Sequence, residues 1–154
     1  MHRLARAGIC TYMKTYETSI SIAAPREAVW RVLSDVATWP KWLPTVASVE
    51  SLDGNPLVLG HRYRIRQPQL QPVTWTVTEL DPAHRFSWQA RTPGLRMLAD
   101  HIVEAGSSGT SDVVLRFSFA GPLGPLVGAV YGAITRRYIE AEAATLKQRL
   151  ETLR

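Results

Sequence analysis

Apolar and polar residues alternate with a period of two in seven short stretches of the chain, which predicts seven β-strands. In one of them, apolar Phe86 and Trp88 alternate with polar Ser87 and Gln89. Turn-forming residues separate the stretches, as expected for a meandering antiparallel sheet with one buried face. The predicted strands span residues 15–22, 46–52, 60–67, 73–80, 84–91, 95–104 and 112–119.

Two short helices are predicted between the first and second strands. Pro25 suits the first helical position and Glu27 favours the first turn, so one helix begins near residue 25. In the following segment, Pro40 and Pro44 limit any helix to about one turn.

Between Pro122 and Leu153 the apolar period changes to 3.6 residues, which predicts a long amphipathic C-terminal helix. Charged residues, Glu142 among them, are expected around its apolar stripe. That stripe is predicted to consist of Leu126, Val127, Val130, Tyr131, Ile134, Tyr138, Ala141, Leu146, Leu150 and Leu153.

This order of elements predicts an α+β fold in which the last helix covers a one-sided sheet, since no other predicted helix is long enough to do so. A curved sheet that grips a helix tends to leave space between the two layers. Large aromatic residues on the inner face are consistent either with a hollow that they line or with a core that they fill.

Composition excludes several classes of protein. With 154 residues, 45% apolar and 20% charged, the chain has the size and make-up of one globular domain. A single cysteine excludes an internal disulfide framework and a cysteine-cluster zinc site. The four histidines are scattered without ligand spacing and no nucleotide-binding or hydrolase motif is present, so we expect no metal and no cofactor.

The ends of the chain bear on its localisation. Residues 1–13 lack the apolar stretch of a signal peptide, and we expect a poorly ordered extension there, with Met13 as an alternative start. Residues 14–154 are expected to form the single domain. The uncharged run 117–135 has the length of a membrane span, but prolines and glycines interrupt it, which favours a strand, a turn and a helix start. We expect a cytoplasmic protein.

Four stretches resemble the START-like/Bet v 1-like superfamily, and specifically its polyketide cyclase/dehydrase and lipid-transport (SRPBCC) group. They are residues 20–30 (ISIAAPREAVW), 39–44 (WPKWLP), 60–63 (GHRY) and the ending 138–151. The resemblance implies a helix-grip fold, a curved antiparallel sheet wrapped around the C-terminal helix. It carries over no catalytic residue, because that group shares no catalytic signature.

With this resemblance, the leading hypothesis is a binding protein that holds a small, largely hydrophobic ligand between sheet and helix, such as a lipid, a quinone or a polyketide-like molecule. We expect no nucleic-acid partner, no integral membrane span, and a monomer or homodimer. The residues expected to contact the ligand are Tyr63, Trp75, Trp88, Met97, His101, Phe117, Tyr131, Ile134 and Tyr138.

His101 is the candidate for chemistry. Its strand parity places it on the inward face, where an imidazole could bind a ligand carbonyl or act as a general acid or base. This leads to the alternative hypothesis, a polyketide aromatase/cyclase-type enzyme. A histidine satisfied by core neighbours, or turned outward at a bulge, would also fit the pattern.

Two other features have competing explanations. Gly121, Gly124, Gly128 and Gly132 lie at the front of the last helix, where close approach to the sheet, a flexible entrance or an oligomer contact could each require them. Arg62, Arg64 and Arg66 share one strand face, which suits a solvent-exposed surface or, alternatively, contact with an anionic partner.

Overall fold

The structure, a computed structural model, describes residues 13–152, so residues 1–12 of the expected extension and Leu153 of the expected stripe lie outside it. Its first strand begins at Met13. The elements are β1 (Met13–Ile22), α1 (Arg26–Leu33), a 3-10 turn (Val36–Thr38), α2 (Trp39–Trp42), β2 (Ser48–Ser51), β3 (Arg62–Arg66), β4 (Val73–Asp81), β5 (Arg85–Thr92), β6 (Leu95–Ala105), β7 (Ser111–Ala120) and α3 (Gly124–Thr152).

The seven strands form one antiparallel sheet in the order β1-β7-β6-β5-β4-β3-β2. Only β1 leaves sequence order, pairing with β7 along its whole length from Met13↔Ala120 to Ile22↔Ser111. The two short helices after β1 and the long helix α3 complete the arrangement, and the predicted helix-grip α+β fold is confirmed.

Strand parity follows the sequence pattern. In β3, Tyr63 and Ile65 are buried, whereas Arg62, Arg64 and Arg66 are exposed. Arg62 forms a two-pronged ion pair with Asp53, whose carboxylate accepts from Nε and Nη2 at 3.0 Å each. The arginine stripe therefore lies on the solvent face of the sheet, and one of its charges is paired within the chain.

The outer face of the sheet is joined across strands by charged side chains centred on Asp100. Its carboxylate accepts from Ser87 at 2.6 Å, from Arg85 at 3.1 Å and from Arg116 at 3.3 Å. These hydrogen bonds and the neighbouring arginines lower the pKa of Asp100 despite the desolvation that opposes them. The polar network links β5, β6 and β7 while their other face is buried.

The predicted apolar stripe of α3 is wrong over the first half of the helix. Leu126 and Val130 are 63% and 68% exposed, and Tyr131 is 45% exposed. The side of α3 that is buried consists instead of Gly124, Gly128, Gly132, Ile139, Ala143, Leu146 and Leu150. Only Leu146 and Leu150 belong to both sets, so the helix is rotated relative to the prediction.

Tyr16 of β1 explains the rotation. Its hydroxyl donates to the carbonyl of Gly128 at 2.8 Å, so the phenol lies along the glycines of α3. A Cβ on Gly132 would lie 2.1 Å from that hydroxyl oxygen, and a Cβ on Gly128 would lie 2.8 Å from the Lys14 side chain. Close approach of helix and sheet therefore explains the glycines at these two positions.

We expect Gly132→Ala to destabilise the protein by about 2 kcal/mol, because the added methyl overlaps the Tyr16 hydroxyl. In an ordinary helix interior, Gly to Ala stabilises by up to about 1 kcal/mol. Urea denaturation of Gly132→Ala measures the change in the free energy of unfolding. Ala133→Gly, on the exposed side of α3, measures separately how much the helix propensities of Gly and Ala contribute. A Gly132→Ala variant at least as stable as the unaltered chain would contradict the close contact.

Candidate functional site

A cavity of about 450 Å³ lies between the concave face of the sheet and α3. It exists because the glycine contact holds the first half of α3 against β1, at one side of the sheet, while the inner faces of β3 to β6 curve round in front of it. Its wall is mostly apolar and is formed by Trp39, Val46, Ile65, Leu70, Val73, Trp75, Trp88, Leu95, Met97, Ala99, Leu115, Phe117, Phe119, Val127 and Ile139.

Three aromatic rings form a continuous part of this wall. Trp75 and Trp88 stack with centroids 5.7 Å apart and planes inclined by 26°, and Phe117 meets Trp75 edge-on at 5.6 Å. Trp39 adds a further edge contact to Trp88 at 5.5 Å. Rings packed against one another in this way form an apolar wall that suits a flat, hydrophobic ligand.

The cavity opens at one end of the sheet. Its exposed lining residues belong to the β3–β4 loop, the β5–β6 hairpin and the first half of α3, with Gln69, Thr92 and Tyr131 as examples. Tyr138 donates from its hydroxyl to the carbonyl of Pro68, and Arg137 donates to Gln69 at 3.5 Å. These two bonds tie α3 to the loop beside the opening.

Seven of the nine residues expected to contact a ligand line the cavity: Trp75, Trp88, Met97, His101, Phe117, Tyr131 and Tyr138. The structure places Tyr63 and Ile134 outside it. Tyr63 is wholly buried, and its hydroxyl donates to the carbonyls of Asn55 and Pro56, so it packs in the core at the other end of β3. Ile134 of α3 is half-buried and is not among the residues that line the cavity, although it lies four residues before Tyr138.

His101 lies deep in the cavity and is 4% exposed. Its ring stacks on Phe86, with centroids 4.1 Å apart and planes inclined by 8°, and Trp39 and Trp88 pack at 5.8 and 5.4 Å. Its Nδ1 atom is buried and has no hydrogen-bond partner among residues 13–152. Aromatic rings therefore pack round the imidazole, and its Nδ1 atom is left without a partner within these residues.

Glu142 of α3 faces His101, and the sequence analysis missed it. Its Oε1 atom lies 3.7 Å from His101 Nε2, which is longer than a hydrogen bond, and has no hydrogen-bond partner within the described chain. The predicted stripe runs through Ala141, which puts Glu142 on the polar side. Its spacing of four residues from both Tyr138 and Leu146 is the signal that could have placed it inward.

Burial shifts both groups toward their neutral forms. Desolvation raises the pKa of Glu142 to about 7 and lowers the pKa of His101 to about 4. Near pH 6 the pair therefore consists of a protonated carboxyl and a neutral imidazole, with one proton held on the carboxyl. Such a pair can donate a proton from one side and accept one on the other without burying a net charge.

A family model described as polyketide cyclase/dehydrase and lipid transport matches residues 13–151. The chain belongs to this family. The match covers every strand and nearly all of α3, so the family assignment applies to the whole described domain. Curated proteins give no match to the sequence.

Solved structures share the family's fold with this chain. The Zhui aromatase/cyclase from a Streptomyces species is 21% identical, with a TM-score of 0.74 and coverage of 91% of this chain and 94% of that one. Norcoclaurine synthase from Thalictrum flavum, solved with dopamine and hydroxybenzaldehyde, is 16% identical, with a TM-score of 0.74 and coverage of 92% and 88%.

The di-domain aromatase/cyclase BexL is 28% identical, with a TM-score of 0.65, and the alignment covers 90% of this chain but 46% of BexL. At these identities the likeness establishes the fold, and the function has to be argued from the site.

Two further observations concern metal binding and membrane crossing. Within residues 13–152, no group of three or more His, Cys, Asp and Glu side chains is placed to hold a metal ion. No helix of the same residues is long and apolar enough to cross a membrane. The uncharged run 117–135 is divided between the end of β7 and the start of α3.

The neutral pair predicts opposite pH dependences for two variants. In Glu142→Gln, His101 remains, and its pKa is about 4 in the folded chain and about 6.5 in the unfolded chain. Because the unfolded chain takes up the proton first, the free energy of unfolding decreases as pH falls from about 6.5 to about 4. In His101→Gln, Glu142 remains, and its pKa is about 7 in the folded chain and about 4.5 in the unfolded chain. Because the unfolded chain loses the proton first, the free energy of unfolding decreases as pH rises from about 4.5 to about 7. Each change amounts to roughly 3 kcal/mol.

In the unaltered protein the two effects oppose each other between about pH 4.5 and 6.5, because both folded and unfolded chains then bind one proton at the pair. Urea denaturation at a series of pH values gives the free energy of unfolding of each protein. Subtracting the value of the unaltered protein from that of each variant removes the titrations that all three proteins share. Parallel pH profiles for the two variants would contradict the neutral assignment.

Proposed function

We propose that this protein binds a small, largely hydrophobic molecule in the cavity between its sheet and C-terminal helix. The observation that supports this is the cavity itself, whose volume of about 450 Å³ falls in the range of small-molecule sites. Apolar rings and aliphatic chains form its wall, so burial of ligand surface provides the free energy of binding.

The polar end of the cavity narrows the class of ligand. Buried polar atoms without partners are costly, and within the part of the chain that the structure describes His101 and Glu142 in the cavity wall each have one. A ligand oxygen that reaches these atoms would offset that cost. Because both groups are neutral near pH 6, the favoured oxygen is uncharged, as in a ketone, a phenol or a quinone. The ligand class is thus a flat hydrophobic molecule with an uncharged oxygen at its buried end.

Filling the cavity should weaken binding. We expect Ala99→Phe to weaken the affinity for the uncharged fluorescent probe N-phenyl-1-naphthylamine by about tenfold or more, because the new ring occupies the space of the guest. Thr135→Phe, which fills the same cavity from α3, is the second variant in case the first fails to fold. Probe fluorescence titration measures the affinity.

Ala129→Phe places the same side chain on the exposed side of α3 and is the matched control, with affinity expected to stay at the level of the unaltered protein. Failure of the unaltered protein to bind any apolar probe would refute the proposal. Binding that persists unchanged in both filled variants would place the ligand elsewhere.

The buried pair supports a second candidate function, an aromatase/cyclase-type enzyme. A carboxyl whose pKa is about 7, 3.7 Å from a neutral imidazole, is poised for proton transfer at neutral pH. Among the solved structures of the same fold, Zhui and BexL are aromatase/cyclases by name. The substrate would be a chain bearing β-ketone groups, folded within the cavity.

The proposed step is an intramolecular aldol condensation. The His101 imidazole removes a proton from the carbon between two ketones, and that carbon forms a bond to a carbonyl carbon further along the chain. Glu142 protonates the resulting alkoxide oxygen. The imidazolium then returns a proton to the carboxylate, and loss of water from the adduct creates the ring double bond, so that atoms and charge balance.

For this candidate, His101→Ala should reduce cyclisation of a synthetic β-polyketone thioester by about a hundredfold or more, since one general acid–base group typically contributes that much. Affinity for N-phenyl-1-naphthylamine should change no more than severalfold, because apolar contacts dominate it. Chromatographic analysis of the products, with His61→Gln at the other end of the sheet as control, gives the rate. Unchanged turnover in His101→Ala would eliminate the mechanism.

A further inference from the structure

The first half of α3 exposes a stripe of large apolar side chains. Leu123, which immediately precedes α3, and Leu126, Val130 and Tyr131 are 45%, 63%, 68% and 45% exposed. Spacings of three and four residues put Leu123, Leu126 and Val130 on one side of the helix, and Tyr131 adjoins them on the cavity side. Isolated exposed apolar residues are ordinary, but a contiguous patch marks a contact surface. The opposite side of the same turns consists of the glycines packed on β1.

This stripe adjoins the opening of the cavity. Val127 and Tyr131 line the cavity, and Leu123, Leu126 and Val130 continue the apolar surface outward from them. The backbone N–H of Leu123 donates to the carbonyl of Gly94 at 2.9 Å, which joins the stripe to the β5–β6 hairpin at the opening. A molecule that enters the cavity at this opening passes beside the stripe.

The segments that supply exposed lining residues at the opening carry only positive charges. They are 67–78, 91–97 and 121–139, and they contain no Asp or Glu. Within them, four basic residues are exposed: Arg91, Arg96, Arg136 and Arg137. Arg137 follows Val130 by seven residues, so it lies on the same side of α3 about 10 Å further along.

We propose that this end of the molecule docks on an anionic lipid surface, with the stripe of Leu123, Leu126, Val130 and Tyr131 inserted among the acyl chains and the flanking cations at the phosphates. Exposed aliphatic side chains flanked by arginines match such a surface, because the aliphatic groups can enter the apolar layer while the arginines contact the lipid phosphates. Docking puts the cavity opening against the lipid, where a hydrophobic ligand can transfer without crossing water.

A second copy of the chain fits this surface less well, because a symmetric contact would bring the same four arginines of each copy together without an intervening acid. The proposed membrane contact is supported by the exposed stripe and by the charges beside it. Its use in ligand transfer rests on the proposed function.

The test is flotation of the purified protein with vesicles of phosphatidylcholine mixed with phosphatidylglycerol, compared with phosphatidylcholine alone. We expect binding to the anionic vesicles that weakens with added salt, and a loss of about tenfold or more in the partition coefficient of Leu126→Gln/Val130→Gln. Leu59→Gln removes a leucine of similar exposure, 60%, in the β2–β3 loop at the opposite end of the sheet, and should bind like the unaltered chain.

Titration with N-phenyl-1-naphthylamine in solution accompanies the flotation. Unaltered probe affinity in Leu126→Gln/Val130→Gln shows that the fold and cavity are intact, so a loss of flotation is then due to the surface alone. An unaltered protein that floats but binds no probe would overturn the proposed function while leaving the docking surface supported.

Three outcomes overturn the docking proposal. They are absence of flotation with anionic vesicles, equal flotation of the double variant and the unaltered protein, and a dimer in solution that the double variant dissociates while neither protein floats. The last outcome would identify the stripe as an interface between copies.

Discussion

The contact between Tyr16 and the glycines of α3 is the constraint on which the rest of the structure depends. Because the phenol lies along Gly128 and Gly132, the helix approaches β1 more closely than any side chain would permit. Arg136 covers the outer side of the same ring at 5.3 Å. The helix is thereby fixed against β1 and β7, and its position determines which side chains face inward.

Two consequences follow for the site. α3 lies on β1 and β7 and not directly on the inner faces of β3 to β6. Large aromatic residues therefore line the resulting cavity instead of filling it. The same helix rotation directs Glu142 toward His101. A carboxyl and an imidazole are thus placed together in an apolar environment that neutralises both, and this is the feature that distinguishes the cavity from ordinary core packing.

The sheet was predictable from the sequence because its signal is local. Alternation with a period of two leaves only two choices of face for each strand, and apolar residues such as Phe86 and Trp88 select one of them. The parity that placed His101 inward needed no knowledge of other elements. The bounds of the strands and of α1 differ from the prediction by a few residues.

The face of α3 could not be predicted in the same way, because its first half contains two candidate stripes. Leu126 and Val130 give the stronger hydrophobic signal, whereas the glycines give none, and the choice depends on Tyr16, more than a hundred residues earlier. Steric fit at Gly132 overrides hydrophobicity here. An apolar side chain displaced from the core by such a fit remains exposed at a cost in solvation. Here it lies beside the cavity opening, where the proposed contact with lipid would bury it.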